Sequence, residues 1–247
     1  MSDTGTGTIL IHGFGFDLRT WYPLELAFEG HNVIYLALPG FGPGPIAGPY
    51  SIAELAKNYW IHLDALGIEQ ISLVGHSMGG YVCLEMLALH PERVLSLALI
   101  HSHVYADSEE KKRARNETIQ NITSKGTVDF INKFIPSLFA DTEKSSGVIR
   151  MLIKRASQYE SLAWIYGSLA MRDRVDLAGL LASIKIPVLM LMGESDRAVP
   201  ADLGLKQALL GERIALHLYP GIGHMGMYEN TQELIEDLIR FYAELPL

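Results

Sequence analysis

The stretch SLVGHSMGGYVCLEML, residues 72–87, decides the fold of this chain of 247 residues. An apolar run ends abruptly at Gly75, and the pattern of an amphipathic helix begins after Ser77. The sequence GHSMG (75–79) has the spacing Gly-x-Ser-x-Gly, which places a serine on a sharp turn between a strand and a helix. Small neighbours relieve the crowding around a residue held in a strained backbone conformation. We therefore predict that the Ser77 hydroxyl projects above a sheet, where it can act as a nucleophile.

Six short apolar runs, each bounded by glycine, proline or polar residues, predict buried β-strands. These runs are TILI (8–11), NVIYLAL (32–38), ISLV (71–74), VLSLALI (94–100), PVLMLM (187–192) and IALHLY (214–219). Helical patterns lie between most of them, one with a capping box at Ser51 and Glu54 and the last capped by Asn230. Strands and helices in alternation predict a parallel sheet that is covered on both faces.

The alternation stops between residues 103 and 185, where four successive segments have helical patterns. Ligands of open α/β sheets bind beyond the carboxyl ends of the strands, so an insertion at such an end can roof the site. We interpret residues 103–185 as a helical cap inserted after the fourth strand. Its basic cluster KKRAR (111–115) lies beside Glu109 and Glu110, and we interpret this cluster as a solvated helix face.

Composition limits the function classes. With 49% hydrophobic residues, the chain has enough apolar residues for one large α/β domain. Its formal net charge of −8 argues against a nucleic-acid or anionic-membrane partner. Cys83 is the only cysteine, which excludes an intrachain disulfide and favours a reducing compartment. Neither a basic leader nor an apolar run of about 18 residues is present, so we expect a cytoplasmic protein without a membrane span.

A serine hydroxyl is a weak nucleophile at neutral pH and needs a base, which in turn needs a group that orients it. The segment GESDRAVP (193–200) follows the fifth strand and supplies Asp196. The segment YPGIGHMGMYEN (219–230) follows the sixth strand and supplies His224. The order Ser77, Asp196, His224, each just past the end of a strand, predicts a catalytic triad.

The segment ILIHGFGFD (9–17) contains a His-Gly turn after the first strand, and such a turn lets the backbone approach a ligand closely. We predict that the backbone N–H groups of Phe14 and Met78 form an oxyanion hole. Glu194 is an alternative acid with a less suitable spacing. We expect His76 to shape the serine turn rather than to transfer protons.

With its motifs HG, GHSMGG and GH, the chain resembles the α/β-hydrolase superfamily, and in particular its small capped serine esterases. This resemblance implies an α/β-hydrolase core of residues 1–102 and 186–247, a helical cap of residues 103–185, and a reaction that needs neither a cofactor nor a metal. A serine at the turn argues against dehalogenases and epoxide hydrolases, whose relatives usually place aspartate there.

The chain departs from this family in two places. Members commonly begin with an antiparallel hairpin, but only seven residues precede Thr8, so we expect a shortened sheet of about six strands. Many relatives carry Asp and Ser at the ends of the loop that follows the second strand. Here the loop is ALPGFGPGP, with Ala37 and Gly44 at those positions.

The expected function is hydrolysis of a carboxylic ester with a small to medium hydrophobic acyl group, through an acyl-enzyme on Ser77. Lactones, thioesters and the carbon–carbon bonds of β-diketones are alternative substrates for the same residues. A ligand receptor that keeps the hydrolase fold is an alternative from another class. The residues expected to line the substrate pocket are mostly apolar or aromatic: His101, Tyr105, Leu138, Phe139, Trp164 and Met225.

Overall fold

A parallel β-sheet forms the centre of the molecule in the computed structural model, which describes residues 5–42 and 46–245. The six strands of the described residues are β1 (Thr6–Ile11), β2 (Val33–Leu36), β3 (Gln70–His76), β4 (Val94–Ile100), β5 (Val188–Gly193) and β6 (Ile214–Tyr219). Their order is β2-β1-β3-β4-β5-β6, and every neighbouring pair is parallel. The predicted strands and the sheet of six are confirmed. Gly44 lies outside the described residues.

Helices cover both faces of the sheet and fill the long connection between β4 and β5. The described residues form ten α-helices: α1 (Ile52–Ala65), α2 (Met78–Leu89), α3 (Glu109–Lys125), α4 (Val128–Ser137), α5 (Ser146–Ala156), α6 (Ser161–Arg172), α7 (Ala178–Ser183), α8 (Ala201–Ala208), α9 (Gly226–Glu229) and α10 (Thr231–Ala243). A 3₁₀ segment, Leu18–Phe28, follows the loop after β1. No helix within these residues is both long enough and apolar enough to cross a membrane.

Local sequence signals explain where two helices begin. The Ser51 hydroxyl accepts a hydrogen bond from the Glu54 N–H at 3.1 Å, and the Glu54 carboxylate accepts one from the Ser51 N–H at 2.8 Å. These two bonds are the capping box that the sequence predicts for α1. Helix α10 does begin after Asn230, but the Asn230 amide donates to the Glu233 carboxylate at 2.9 Å instead of capping the backbone.

Helix α2, which follows Ser77, is buried on nearly every side, so its predicted amphipathic character is wrong. Nine of its 12 residues are buried, including the free Cys83. The reason is its position, because α2 packs against β1, β3 and β4 on one side and against α1 on the other. A helix enclosed in this way carries apolar residues all round.

The helices α3 to α7 all fall within residues 103–185, between β4 and β5. The two ends of this insertion are joined by a hydrogen bond from the Leu177 N–H to the Val104 carbonyl, at 2.9 Å. Trp164 of α6 packs edge-on against Phe14 and Phe41, with ring centroids 5.1 and 5.3 Å apart. The insertion therefore rests on the loops that follow β1 and β2. Its role as a cap stays a prediction.

Candidate active site

Ser77 lies between the last residue of β3 and the first residue of α2, in a backbone conformation that is rare for a residue with a side chain. Its φ is +51° and its ψ is −117°. The close approach of strand and helix explains the flanking glycines, since a Cβ on Gly79 would lie 2.0 Å from the Ile11 carbonyl oxygen. Hydrogen bonds hold the turn: the Ser77 N–H donates to the Ile100 carbonyl at 3.0 Å, and the Ser102 hydroxyl donates to the Ser77 carbonyl at 2.8 Å.

His224 and Asp196 are brought together from the loops that follow β6 and β5. The His224 Nδ1 lies 2.7 Å from the Asp196 Oδ2, and both side chains are buried. The other carboxylate oxygen of Asp196 accepts hydrogen bonds from the backbone N–H groups of Ala198 and Val199, at 2.8 and 2.9 Å. The backbone of His224 is held by a 2.7 Å bond to the Leu138 carbonyl. Asp196 is therefore fixed, and it orients the imidazole of His224.

A second imidazole, that of His101, contacts the same carboxylate. The His101 Nδ1 lies 3.3 Å from the Asp196 Oδ2, and the Gly226 N–H donates to the His101 Nε2 at 3.2 Å. A neutral imidazole accepts at only one nitrogen, so we assign the proton to Nδ1, which faces the carboxylate. This tautomer leaves the Gly193 N–H, 3.3 Å from Nδ1, without that acceptor. Within the described chain, His101 and Ser77 are the two non-glycine residues with positive φ.

Burial and neighbouring charges determine the protonation states of Asp196, His101 and His76. Burial alone would raise the pKa of Asp196, but the charge interaction with His224 and the hydrogen bonds from His101 and His224 hold it well below its usual range. Burial lowers the pKa of His101, an effect that Asp196 partly opposes. Burial, followed by the neighbouring imidazoles, lowers the pKa of His76 well below its usual range. Asp196 is therefore ionised at neutral pH, while His76 and His101 are neutral.

Two backbone N–H groups beside Ser77 are free to bind a ligand. Those of Phe14 and Met78 make no hydrogen bond within residues 5–42 and 46–245. The loop after β1 lies close to the serine, since a Cβ on Gly13 would be 3.2 Å from the Ser77 Cβ. His12 holds this loop, because its Nδ1 lies 2.9 Å from the Gly13 carbonyl and its Nε2 accepts from the Leu38 N–H at 3.1 Å. Sequence reasoning missed this role of His12.

A cavity of about 280 Å³ has both Ser77 and His224 in its wall. The apolar part of the wall consists mainly of aromatic and long aliphatic side chains: Phe14, Phe16, Phe130, Phe134, Leu138, Met171 and Val199. The polar part comes from the insertion and from the loop after β5: Lys111, Arg115, Thr118, Ser168 and Arg197. Because Ser77 and His224 share this wall, both side chains are accessible from the cavity.

Only part of the expected pocket lies at this wall. Leu138 lines the cavity, whereas the other five expected residues lie elsewhere in the described chain. Trp164, Phe139 and Met225 are fully packed in the core, because their large apolar side chains fill space behind the wall. Tyr105 stacks on a neighbouring histidine instead of facing the cavity.

His101, Glu194 and the basic cluster KKRAR (111–115) do not all lie where the sequence analysis expects them. His101 lies behind Asp196, and Glu194 is exposed to solvent. The interpretation of KKRAR as a solvated face is wrong for two of its members. Lys111 and Arg115 are only partly exposed and line the cavity. Their spacing of four residues places them on one face of α3, which is a signal that the sequence did contain.

The ligand atoms of His101, Asp196 and His224 lie within 4.8 Å of one another, close enough to hold a metal ion. The hydrogen bonds among these side chains already use the Nδ1 atoms and the Asp196 Oδ2. With these hydrogen bonds in place, the three side chains are suited to orienting the His224 imidazole and moving a proton.

Comparisons with known proteins show which family the chain belongs to. The model of the alpha/beta hydrolase family matches residues 8–237, so the chain belongs to that family. The dihydrolipoyllysine-residue acetyltransferase component of the acetoin cleaving system of Pseudomonas putida is 30% identical over 96% of this chain, which spans 63% of that protein. The pimeloyl-[acyl-carrier protein] methyl ester esterase of Pseudoalteromonas atlantica is 26% identical, over 96% of this chain and 94% of the esterase.

Among solved structures, a thermophilic esterase from Thermogutta terrifontis is similar to this chain with a TM-score of 0.90 and 25% identity. The similarity covers 98% of this chain and 91% of that chain. The esterases among these relatives support a hydrolase activity for this protein.

Proposed function

We propose that the protein is a serine hydrolase that cleaves a carboxylic ester through an acyl-enzyme on Ser77. One observation carries this proposal: Ser77, on a strained turn, shares a cavity with His224, whose imidazole is oriented by the buried Asp196. A nucleophile, a base and a group that orients the base are what acyl transfer requires.

In the proposed mechanism, the Ser77 Oγ attacks the acyl carbon while the His224 Nε2 takes the hydroxyl proton. The oxygen that becomes negatively charged accepts hydrogen bonds from the free N–H groups of Phe14 and Met78. The tetrahedral intermediate then collapses, and the alcohol leaves with the proton that His224 returns to it. Water attacks the acyl-enzyme by the same route and releases the acid.

The cavity has the size and the lining that suit a small to medium acyl group. Its volume of about 280 Å³ is at the low end of ligand sites, and most of its lining is apolar. The helices of residues 103–185 supply much of that lining, including Phe130 and Phe134 of α4. We therefore propose that this segment acts as the cap of the site and excludes water from the acyl chain.

The test is hydrolysis of p-nitrophenyl esters of increasing acyl length. We expect Ser77→Ala and His224→Ala each to lower kcat by about four orders of magnitude or more, because triad members act as a unit. The variant Ser157→Ala, which changes an exposed serine, is the matched control and should keep full activity. Turnover that survives in Ser77→Ala would contradict the proposal.

A fluorophosphonate probe gives an independent measurement. It should label the wild-type chain and Ser157→Ala once, at Ser77, and should leave Ser77→Ala unlabelled. Equal labelling of the Ser77→Ala variant would show that another residue is the nucleophile.

A further inference from the structure

Three cationic side chains line the cavity, although the chain has a net charge of −8. Lys111, Arg115 and Arg197 lie in the same wall as Ser77 and His224. The two residues from α3 and the one from the loop after β5 approach the cavity from different parts of the chain. The wall of a purely apolar acyl pocket does not need three cations, and carboxylates of the described chain balance only part of their charge.

One carboxylate accounts for part of the charge. Asp107 is fully buried and pairs with the Arg115 guanidinium and with Arg174, whose Nη1 lies 2.7 Å from the Asp107 Oδ1. Two cations therefore share a single anion. This cluster keeps a positive charge on the side that faces the cavity.

Lys111 has no anionic partner in the described part of the chain. Its Nζ donates to the Ala198 carbonyl at 3.0 Å, and no carboxylate lies within ion-pair distance of it there. Burial lowers the pKa of Lys111, and Arg115 and Arg174 lower it further, while Asp107 opposes them. A partly buried ammonium group without a counter-ion is unfavourable unless a ligand supplies one. Two of its three N–H donors remain available for that ligand.

Arg197 provides a second available cation. It follows the triad acid Asp196 directly, is exposed, and makes neither an ion pair nor a hydrogen bond with any described residue. A free guanidinium binds the two oxygens of a carboxylate with two parallel hydrogen bonds.

We propose that the cavity binds esters that carry a carboxylate, and that this carboxylate pairs with Lys111 and Arg197. The inference rests on the proposed function, because it names the substrate class of the same site. The carboxylate belongs either to the acyl part or to the alcohol part of the ester, and the chemistry of recognition is the same for both. The matched substrates below distinguish the two.

The test compares charged esters with neutral ones of the same carbon skeleton. Monomethyl glutarate against methyl valerate places the carboxylate in the acyl part, and 3-acetoxypropanoate against propyl acetate places it in the alcohol part. For at least one pair, we expect kcat/KM of the charged ester to exceed that of the neutral ester by about tenfold. This ratio corresponds to the free energy of one charge-assisted hydrogen bond. Removing both cations, in the double variant Lys111→Met/Arg197→Met, should bring this ratio to about one, mainly through KM, and Lys111→Met alone should lower it.

Lys112→Met is the matched control, because it removes the same charge from the next residue, which pairs with Glu109 and does not line the cavity. It should keep the wild-type ratio. Binding provides a readout without turnover: calorimetry on Ser77→Ala should detect glutarate but not the neutral glutaramide. Adding Lys111→Met should weaken that binding, and adding Arg197→Met as well should abolish it.

The outcomes separate the two proposals. If neutral esters are hydrolysed with no preference for charge and glutarate does not bind, the carboxylate site is wrong and the proposed function stands. If no ester is hydrolysed but glutarate binding depends on Lys111, the proposed reaction is wrong and the carboxylate site stands.

Discussion

At the scale of single residues, the unusual feature is a carboxylate that contacts two imidazoles. Asp196 meets both His224 and His101, and one of these, His101, has an unfavourable backbone conformation with φ of +48°. Such strain persists only where surrounding structure holds it. We interpret His101 as a positioning residue that fixes the carboxylate from behind, while His224 faces the cavity.

We expect His101→Asn to lower kcat about tenfold and to move the acidic limb of the pH–rate profile to higher pH. Asparagine tolerates the same positive φ, but its shorter side chain removes one N–H donor from Asp196. With one donor fewer, the Asp196 carboxylate keeps more of its negative charge unbalanced, and this charge stabilises positive charge within the site. The measurement is kcat/KM for a p-nitrophenyl ester between pH 5 and about 9.

The matched control is His103→Asn, which changes a buried histidine that bonds to Tyr81 and not to Asp196 or His224. It should lower stability and leave the pH profile in place. If the acidic limb of the pH–rate profile stays at the same pH in His101→Asn, then His101 contributes only to packing.

The sequence predicts the three proposed catalytic residues because each follows a strand in a short motif with a fixed chain order. His101 and His12 escaped this reasoning. Their partners, among them Gly226 and Leu38, come from distant parts of the chain, and no local spacing records such contacts. The wall of the cavity was missed for the same reason, since packing decides which large apolar side chains face a void.

At the scale of elements, a hydrogen bond from the insertion to an ion pair of the core joins the two parts of the chain. Asp17 caps the 3₁₀ segment, pairs with Arg19, and accepts a 2.6 Å hydrogen bond from the Tyr159 hydroxyl between α5 and α6. Burial alone would raise the pKa of Asp17, but its bonds to Arg19 and Tyr159 lower it to about 2. In the unfolded chain the same carboxyl titrates near 4, so it stabilises the fold above about pH 4.

We expect Asp17→Asn to lower the free energy of unfolding by about 2 kcal/mol at pH 7, the value of a hydrogen bond to a charged group. A lowered pKa in the folded state means that this contribution is lost as the pH falls toward 2. The difference between variant and wild type should therefore shrink at pH 3, in urea unfolding. Glu117→Gln, at an exposed residue in the middle of α3, should change stability at neither pH. A difference that is constant with pH would exclude this role of the Asp17 charge.

The sequence predicted the strands and helices more completely than it predicted which faces of the helices are buried. The prediction of strands such as β4 was correct because a short, bounded apolar run indicates a strand that is buried on both faces. For α2 and α3 the helices were correct, but their buried faces were not. The surroundings of a helix decide this: α2 is enclosed by the sheet and α1, and the basic face of α3 turns toward the cavity.

At the scale of the whole molecule, the insertion and the sheet share one hydrophobic core. A single cluster of buried side chains runs from the strands through Phe14 and Phe41 to Trp164 of α6. At the base of the insertion, Asp107 and Arg174 join its two ends, and both side chains are almost wholly buried. A continuous core does not favour a state in which the insertion alone is unfolded.

We therefore expect wild-type protein to unfold in urea in one transition, with the same midpoint by tryptophan fluorescence and by far-ultraviolet circular dichroism. Asp107→Ala should lower the free energy of unfolding by about 3–5 kcal/mol, because it leaves the Arg174 charge buried and unpaired. Asp173→Ala breaks the more exposed pair with Arg172 and, as the matched control, should cost less than about 1 kcal/mol. The single transition should persist in Asp107→Ala, because the aromatic contacts of Trp164 remain. Two separate midpoints, in wild type or variant, would mean that the insertion is an independent folding unit that can open without the core.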